Sequence, residues 1–148
     1  MPSSRIERFF QSDNFAILGM SRTKRNFAWM IYDGFVKAGA RVFAVHPVGG
    51  KVRNIEFYSS LGSLPVPVDA AVLCFDMAIS NNILKEMKDY GIKRIWLQQG
   101  ACKASVVREA GDMGFETCTG CALMYMPGAS FPHRLHRFFK ELFAKGKD

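Results

Sequence analysis

Residues 14–39 place the tightest constraint on what this chain can fold into. They read NFAILGMSRTKRNFAWMIYDGFVKAG: an apolar run, a polar turn and an amphipathic segment that stops at Gly39. A continuous apolar run is typical of a buried parallel strand. The amphipathic segment predicts a helix with one apolar stripe. Its members are Phe27, Met30, Ile31, Gly34, Phe35 and Ala38. We therefore predict a strand, a tight turn and a helix, which together open a βαβ unit.

The same alternation continues along the chain. Further strands are predicted at about 41–47, 69–75, 93–100 (with its exit loop) and 115–118, and helices at about 80–90 and 103–113. Between them, residues 48–54 read as a glycine-bearing loop and residues 55–58 as a short edge strand. Strands that alternate with helices form a doubly wound parallel sheet. We expect an α/β fold with three layers, α/β/α.

No break in composition divides the 148 residues, so we expect a single domain over residues 1–148. A leading helix is predicted at about 4–11, capped by Ser3 or Ser4. A basic amphipathic helix is predicted at about 131–145. Its apolar stripe consists of Phe131, Leu135, Phe138, Phe139 and Leu142. We favour packing of this stripe on the sheet over a membrane-surface role. A homodimer or partner surface is the other interpretation.

Composition narrows the class of protein. No apolar run approaches the roughly 20 residues of a membrane span, and the N-terminus lacks the pattern of a signal peptide. We therefore expect a cytoplasmic protein. The four cysteines are too few and too irregularly spaced for a disulfide framework, so we expect them to be thiols in a reducing compartment. The net charge of +7 favours an anionic partner.

The turn at residues 19–26 has the features of a phosphate-binding loop. A helix N-terminus offers backbone N–H groups and the positive end of a dipole. Gly19 allows the sharp exit from the strand, and Ser21 adds a hydroxyl donor. Arg22, Lys24 and Arg25 add three positive charges. The loop has neither a Walker A pattern nor the second and third glycines of a dinucleotide fingerprint.

The end of the second strand indicates which nucleotide fits. NAD sites carry an acidic residue there, which binds the ribose hydroxyls. This chain instead has His46 and Pro47, followed by Lys51 and Arg53. Basic residues suit a ribose that bears an additional phosphate. Coenzyme A and NADP both meet that requirement.

These positions together resemble the small stand-alone CoA-binding proteins of Rossmann type, relatives of the N-terminal domain of the succinyl-CoA synthetase α subunit. The resemblance covers about residues 14–126. It depends on the segments LGMSRTKRN, AVHPVGGK, PVDAAVLCF, IWLQQG and TGCALM, in that order. It implies a Rossmann-like fold and a ligand that is CoA or an acyl-CoA.

The resemblance also implies roles for individual residues. Those at the diphosphate would be Gly19, Met20, Ser21, Arg22 and Lys24. Pro47 and Lys51 would lie near the adenosine, Gln99 and Gly100 along the pantetheine, and Cys121 near its far end. Many members have basic residues where this chain has Phe75 and Asp76. Phe75 would offer a ring for stacking on adenine instead.

No catalytic constellation is evident, and we predict a binding module. His46 has no partnering carboxylate in view, so a structural role is favoured for it. Cys118 and Cys121 have C-x-x-C spacing, but no second pair suggests zinc. Cys121 at the mouth of the cleft would permit a mixed disulfide with CoA.

Two other functions fit the sequence less well. An NADP-type oxidoreductase fragment is disfavoured because no substrate domain or general acid follows the nucleotide fold. A nucleic-acid binder is disfavoured because no recognisable binding signature accompanies the positive charge.

Overall fold

The computed structural model describes residues 4–74, 81–98 and 103–125 of the chain. The strands are β1 (Asn14–Leu18), β2 (Arg41–Val45), β3 (Gly50–Val52), β4 (Ile55–Tyr58), β5 (Ala70–Leu73), β6 (Arg94–Gln98) and β7 (Glu116–Gly120). The helices are α1 (Arg5–Phe10), α2 (Phe27–Lys37), α3 (Asn81–Tyr90), α4 (Ala104–Asp112) and α5 (Ala122–Tyr125), with a 3-10 helix at Leu61–Ser63.

The strands form one sheet in the order β3-β4-β2-β1-β5-β6-β7. Neighbouring strands are parallel, except that β3 runs antiparallel to β4. The chain builds outward from β1 to β2 on one side and then crosses to β5 on the other. The topological switch point therefore lies between β1 and β5. This arrangement confirms the predicted doubly wound α/β fold.

The segment at residues 48–54 differs from the predicted loop. Gly50–Val52 forms β3, and Val52 pairs with Ile55 across a two-residue turn. Arg53 and Asn54 make this turn with φ of 50° and 68°, the left-handed pair that a tight hairpin requires. β4 therefore lies between β2 and β3, and the prediction that it is an edge strand was wrong.

The sheet separates two apolar layers. On one face, α1, α2 and α5 cover a cluster that includes Phe9, Trp29 and Trp96. On the other face, the 3-10 helix, α3 and α4 cover a cluster that includes Leu84 and Met87. Because both faces of the central strands are buried, these strands read as continuous apolar runs.

The helix α1 anchors the N-terminal segment to the first of these layers. Ser4 caps it by accepting a hydrogen bond from the Glu7 backbone N–H at 3.1 Å. The ring of Phe9 is fully buried and lies 5.3 Å from Trp96 and 5.4 Å from Phe15. The segment predicted as a second terminal helix, at about 131–145, lies outside the described residues. Within the described ranges, no helix is long and apolar enough to cross a bilayer.

The helix α2 buries a face that is rotated from the predicted stripe. Ile31 and Phe35 are buried as expected, but Met30 is 42% exposed and Trp29 is only 1% exposed. The indole N–H of Trp29 donates to the backbone carbonyl of Ser21 in the preceding loop. This bond supplies the buried indole with the polar partner that it needs.

Candidate functional site

The first βα loop, residues 19–26, lies at the carboxyl edge of the sheet beside the switch point. Gly19 leaves β1 with φ of 116°. A Cβ added to Gly19 would lie 2.8 Å from the backbone carbonyl carbon of Cys74, which follows β5. Two strands therefore approach each other so closely that glycine is required at this position.

Two side chains from the start of α2 hold the carbonyl oxygens of this loop. Nδ2 of Asn26 donates to the Gly19 oxygen at 2.8 Å, while Oδ1 of Asn26 accepts from the Ser21 N–H at 3.3 Å. Nε1 of Trp29 donates to the Ser21 oxygen at 2.8 Å. Side chains at the start of α2 therefore hold the backbone of the loop without help from a ligand.

The hydroxyl of Ser21 is also used within the loop. Its Oγ accepts from the backbone N–H groups of Thr23 and Lys24 at 3.2 and 3.3 Å. It also lies 3.1 Å from Oγ1 of Thr23. The hydroxyl proton of Ser21 remains to be donated, either to Thr23 or to a ligand.

The three predicted cations of the loop have different surroundings. Lys24 is exposed. Arg25 forms an ion pair with Asp33, and its guanidinium lies 5.2 Å from the ring centre of Trp29. Arg22 is half-buried, and its Nε atom has no hydrogen-bond partner among the described residues. Arg22 therefore has donor capacity to spare, whereas Asp33 offsets part of the charge of Arg25.

A pocket of about 590 Å³ opens next to this loop, bounded by the carboxyl ends of β1 and β2, the 3-10 helix and α3. Its lining is more apolar than polar. The lining residues are Leu18, Gly19, Met20, Ser21, Asn26, Val45, His46, Pro47, Ser59, Ser60, Leu61, Ile83 and Glu86. The structure thus brings Gly19, Met20, Ser21, His46 and Pro47 of the predicted site together. Met20 is 1% exposed, so its side chain belongs to the core.

His46 forms the wall of the pocket at the end of β2. Its Nδ1 accepts a hydrogen bond from the Val48 N–H at 3.1 Å, so the neutral ring carries its proton on Nε2. Burial lowers the pKa of His46 below its usual value, and the positive charge of Arg22 lowers it further. The side chain is accordingly a neutral hydrogen-bond donor at pH 7, rather than a cation.

The β3–β4 hairpin packs against the first loop. Gly50 has φ of 85°, and a Cβ at this position would lie 3.2 Å from a terminal nitrogen of Arg22. The guanidinium of Arg53 lies 5.9 Å from the ring centre of Trp29. Lys51 is exposed on β3. The hairpin therefore brings Arg53, distant in sequence, to Trp29, which bonds to the loop.

The sequence matches the family described as CoA binding domain over residues 13–127. This span includes the whole sheet, the first loop and every residue that lines the pocket. The chain belongs to the CoA-binding domain family. No curated protein matches it.

Solved structures resemble this CoA-binding domain in fold. A hypothetical protein from Pyrococcus horikoshii OT3 has a TM-score of 0.71 at 17% identity, with 81% of this chain and 86% of that chain covered. The cell-free ID.343 protein from Thermus thermophilus has a TM-score of 0.65 at 24% identity, with 77% and 87% covered.

A larger enzyme contains a similar fold. The dinucleotide-forming acetyl-coenzyme A synthetase 1 of Ca. Korarchaeum cryptofilum, in complex with phosphate and ADP, has a TM-score of 0.64 at 19% identity. The alignment covers 79% of this chain but only 27% of the synthetase chain. At this level of identity the likeness establishes the fold alone.

Two cysteines of the CoA-binding domain, Cys118 and Cys121, are buried. Cys121 is 1% exposed, so it is not the open thiol at the mouth of the cleft that the sequence suggested. Burial raises the pKa of Cys118 to about 11, and the charge of Glu116 adds to the effect. A reactive thiolate pair is therefore disfavoured. Among the described residues, no cluster of His, Cys, Asp or Glu could hold a metal ion.

Three predicted site residues, Phe75, Gln99 and Gly100, lie outside the described residues. Their neighbour Gln98, at the end of β6, is 2% exposed. Its Oε1 accepts a hydrogen bond from the backbone N–H of Ala122, at the start of α5, at 3.1 Å. This contact joins the end of β6 to the start of α5, which follows β7 at the carboxyl edge of the sheet.

Sequence reasoning missed several residues of the site. Asn26 had a usable signal, because asparagine often precedes a helix as its N-cap. Its side chain makes no capping bond and instead holds the loop. Ser59, Ser60 and Glu86 reach the pocket from segments after β4 and within α3. These segments are distant from the first loop in sequence, and no local sequence pattern predicts that they line the same pocket.

Proposed function

We propose that this domain binds coenzyme A or an acyl-CoA, with the diphosphate at the loop of residues 19–26. The observation that carries this proposal is the loop itself. Its Gly19 and Ser21 carbonyl oxygens accept hydrogen bonds from the side chains of Asn26 and Trp29. The negative ends of these two peptide dipoles are therefore already paired with donors of the protein. Membership of the CoA-binding domain family supports the same ligand.

The basic residues near the end of β2 support a ligand that bears an additional ribose phosphate. His46 offers Nε2–H without a full charge, and Arg53 lies in the turn between β3 and β4. Lys51 follows on β3. The apolar side chains of Leu18 and Ile83, which line the pocket, suit the face of an adenine ring. A diphosphate, a phosphorylated ribose and adenine together describe CoA.

We further propose that the domain is a non-catalytic module with a sensor, carrier or regulatory role in the cytoplasm. His46 is the pocket residue best suited to proton transfer, but its Nδ1 is engaged by a backbone N–H and not by a carboxylate. A histidine oriented in this way lacks the acidic partner of the usual base dyads. Burial raises the pKa of Cys118 to about 11, so this residue is held as a neutral thiol.

Calorimetry with CoA, 3′-dephospho-CoA, NADP and NAD tests the ligand assignment. We expect CoA to bind more tightly than 3′-dephospho-CoA because the additional phosphate meets the basic residues Lys51 and Arg53 that follow β2. Arg22→Gln should weaken CoA binding about tenfold, since a hydrogen bond to a charged group contributes about 1.5–3 kcal/mol. The matched control is Arg41→Gln, which removes an equal charge from an exposed residue at the start of β2.

The outcomes separate the competing functions. Tighter binding of NADP than of CoA would favour a dinucleotide-dependent oxidoreductase. Salt-sensitive binding of DNA without nucleotide affinity would favour a nucleic-acid binder. Equal losses in Arg22→Gln and Arg41→Gln would mean that only the overall charge matters, and the proposed site would be wrong.

A further inference from the structure

Trp29 connects the first βα loop to the β3–β4 hairpin. Its indole Nε1 donates to the Ser21 carbonyl oxygen at 2.8 Å, while its ring lies 5.9 Å from that of Phe57 in β4. The guanidinium groups of Arg25 and Arg53 lie 5.2 and 5.9 Å from the ring centre. The side chain is 1% exposed. Its orientation is therefore fixed by contacts from both segments.

The hydrogen bond to Ser21 matters for anion binding because it fixes the direction of the Ser21 carbonyl oxygen. A carbonyl oxygen that faces a bound anion repels it, so a peptide fixed in advance with its oxygen bonded elsewhere removes the cost of reorienting it when the anion binds. The Ser21 oxygen is engaged by an indole that cannot accept a hydrogen bond and cannot be deprotonated at ordinary pH. The peptide orientation is therefore independent of the ligand's own charge.

The hairpin contributes through a costly backbone conformation. Arg53 has φ of 50°, a region that glycine or asparagine occupies more readily. This conformation sets the guanidinium over the Trp29 ring, where a cation is attracted to the π face. The position of the hairpin is in this way linked to the position of the loop.

We propose that Trp29 is a positioning residue that keeps the Ser21 carbonyl turned away from a bound diphosphate. This inference rests on the proposed function, since it concerns the same loop and the same ligand group. Trp29 acts on the ligand only through the Ser21 peptide. Loss of its N–H should therefore weaken diphosphate binding without removing any direct contact.

The chain supplies a matched control in its second tryptophan. Trp96 is fully buried, and its Nε1 donates to the Gly120 carbonyl oxygen at 3.1 Å. Trp29→Phe and Trp96→Phe thus remove the same indole N–H from a similar bond to a backbone carbonyl, in different parts of the molecule. Thermal melts of both variants establish that they fold. CoA affinity is then measured by calorimetry well below both melting temperatures.

Trp29→Phe should bind CoA about tenfold more weakly, which corresponds to the loss of one buried hydrogen bond. Trp96→Phe should stay within twofold of the unaltered chain. The proposal is overturned if Trp29→Phe also stays within twofold, or if both variants lose affinity equally. The proposed function survives either result, because the unaltered chain still binds CoA.

A second measurement does not depend on CoA or on the folding of Trp29→Phe. In Trp96→Phe, Trp29 is the only remaining tryptophan, and inorganic diphosphate should produce a saturable change in its fluorescence. Absence of this change overturns the inference. If the change occurs but the unaltered chain does not bind CoA, the inference stands and the proposed ligand is wrong.

Discussion

At the residue scale, the site depends on how closely Gly19 approaches Cys74. A Cβ added to Gly19 would lie only 2.8 Å from the carbonyl carbon of Cys74, which is too close for a real side chain. The φ of 116° at Gly19 is also unfavourable for any residue other than glycine. Gly39, after α2, also has a positive φ of 82°, but nothing lies within 4 Å of a Cβ added there. Comparison of the two positions separates the cost of the backbone conformation from the cost of the clash.

Gly19→Ala should lower the free energy of unfolding by about 3 kcal/mol, because a left-handed backbone cost adds to overpacking against Cys74. Gly39→Ala should cost about 1 kcal/mol, since only the backbone term applies. Chemical denaturation of both variants measures the difference. Equal losses would show that the contact with Cys74 relaxes without cost.

The sequence allowed prediction of the loop's position but not of what holds it. Gly19 and Ser21 were foreseen, because a strand followed by a polar turn and a helix has a recognised chemistry. Trp29 was not, because apolar periodicity predicts which face of a helix is buried only to within about one residue. The indole N–H of Trp29 donates to the Ser21 carbonyl oxygen in the preceding loop. The spacing of apolar residues does not predict such a hydrogen bond.

At the element scale, the β3–β4 hairpin and α1 contact different parts of the molecule. The hairpin brings Arg53 to the ring of Trp29 in α2, which bonds to the first loop. The helix α1 packs against β6 and β7, and Arg8 pairs with Glu116 at the start of β7. The hairpin was not predicted because β3 has three residues, one of them glycine, and its turn contains an arginine in a left-handed conformation. The helix α1 was predicted, since its cap and apolar spacing are both local.

Phe9→Ala should lower the free energy of unfolding by about 3–5 kcal/mol because it empties a fully buried site beside Trp96 and Phe15. Ser4→Ala, which removes only the cap of the same helix, should cost about 1 kcal/mol. Thermal or denaturant unfolding measures both. In variants that remain folded, CoA affinity should not change; a large loss would mean that α1 supports the site.

At the scale of the whole molecule, the doubly wound sheet directs a ligand to one of its two edges. The carboxyl edge carries the first loop and the pocket of about 590 Å³. The opposite edge has a more open cavity of about 710 Å³, whose lining includes Asp13, Asp69 and Lys93. Size alone would favour the second cavity. Topology favours the first, since ligands of open α/β sheets bind outside the carboxyl ends of the strands.

The most direct test of this account is a titration of the ¹⁵N-labelled protein with CoA, followed through the backbone amide signals. We predict that the largest shifts occur in residues 20–26, with a second group in residues 46–50 at the end of β2. Shifts confined to the opposite cavity, around residues 61–69 and 90–93, or an unchanged set of signals from residues 20–26, would contradict the claim that this loop binds the diphosphate.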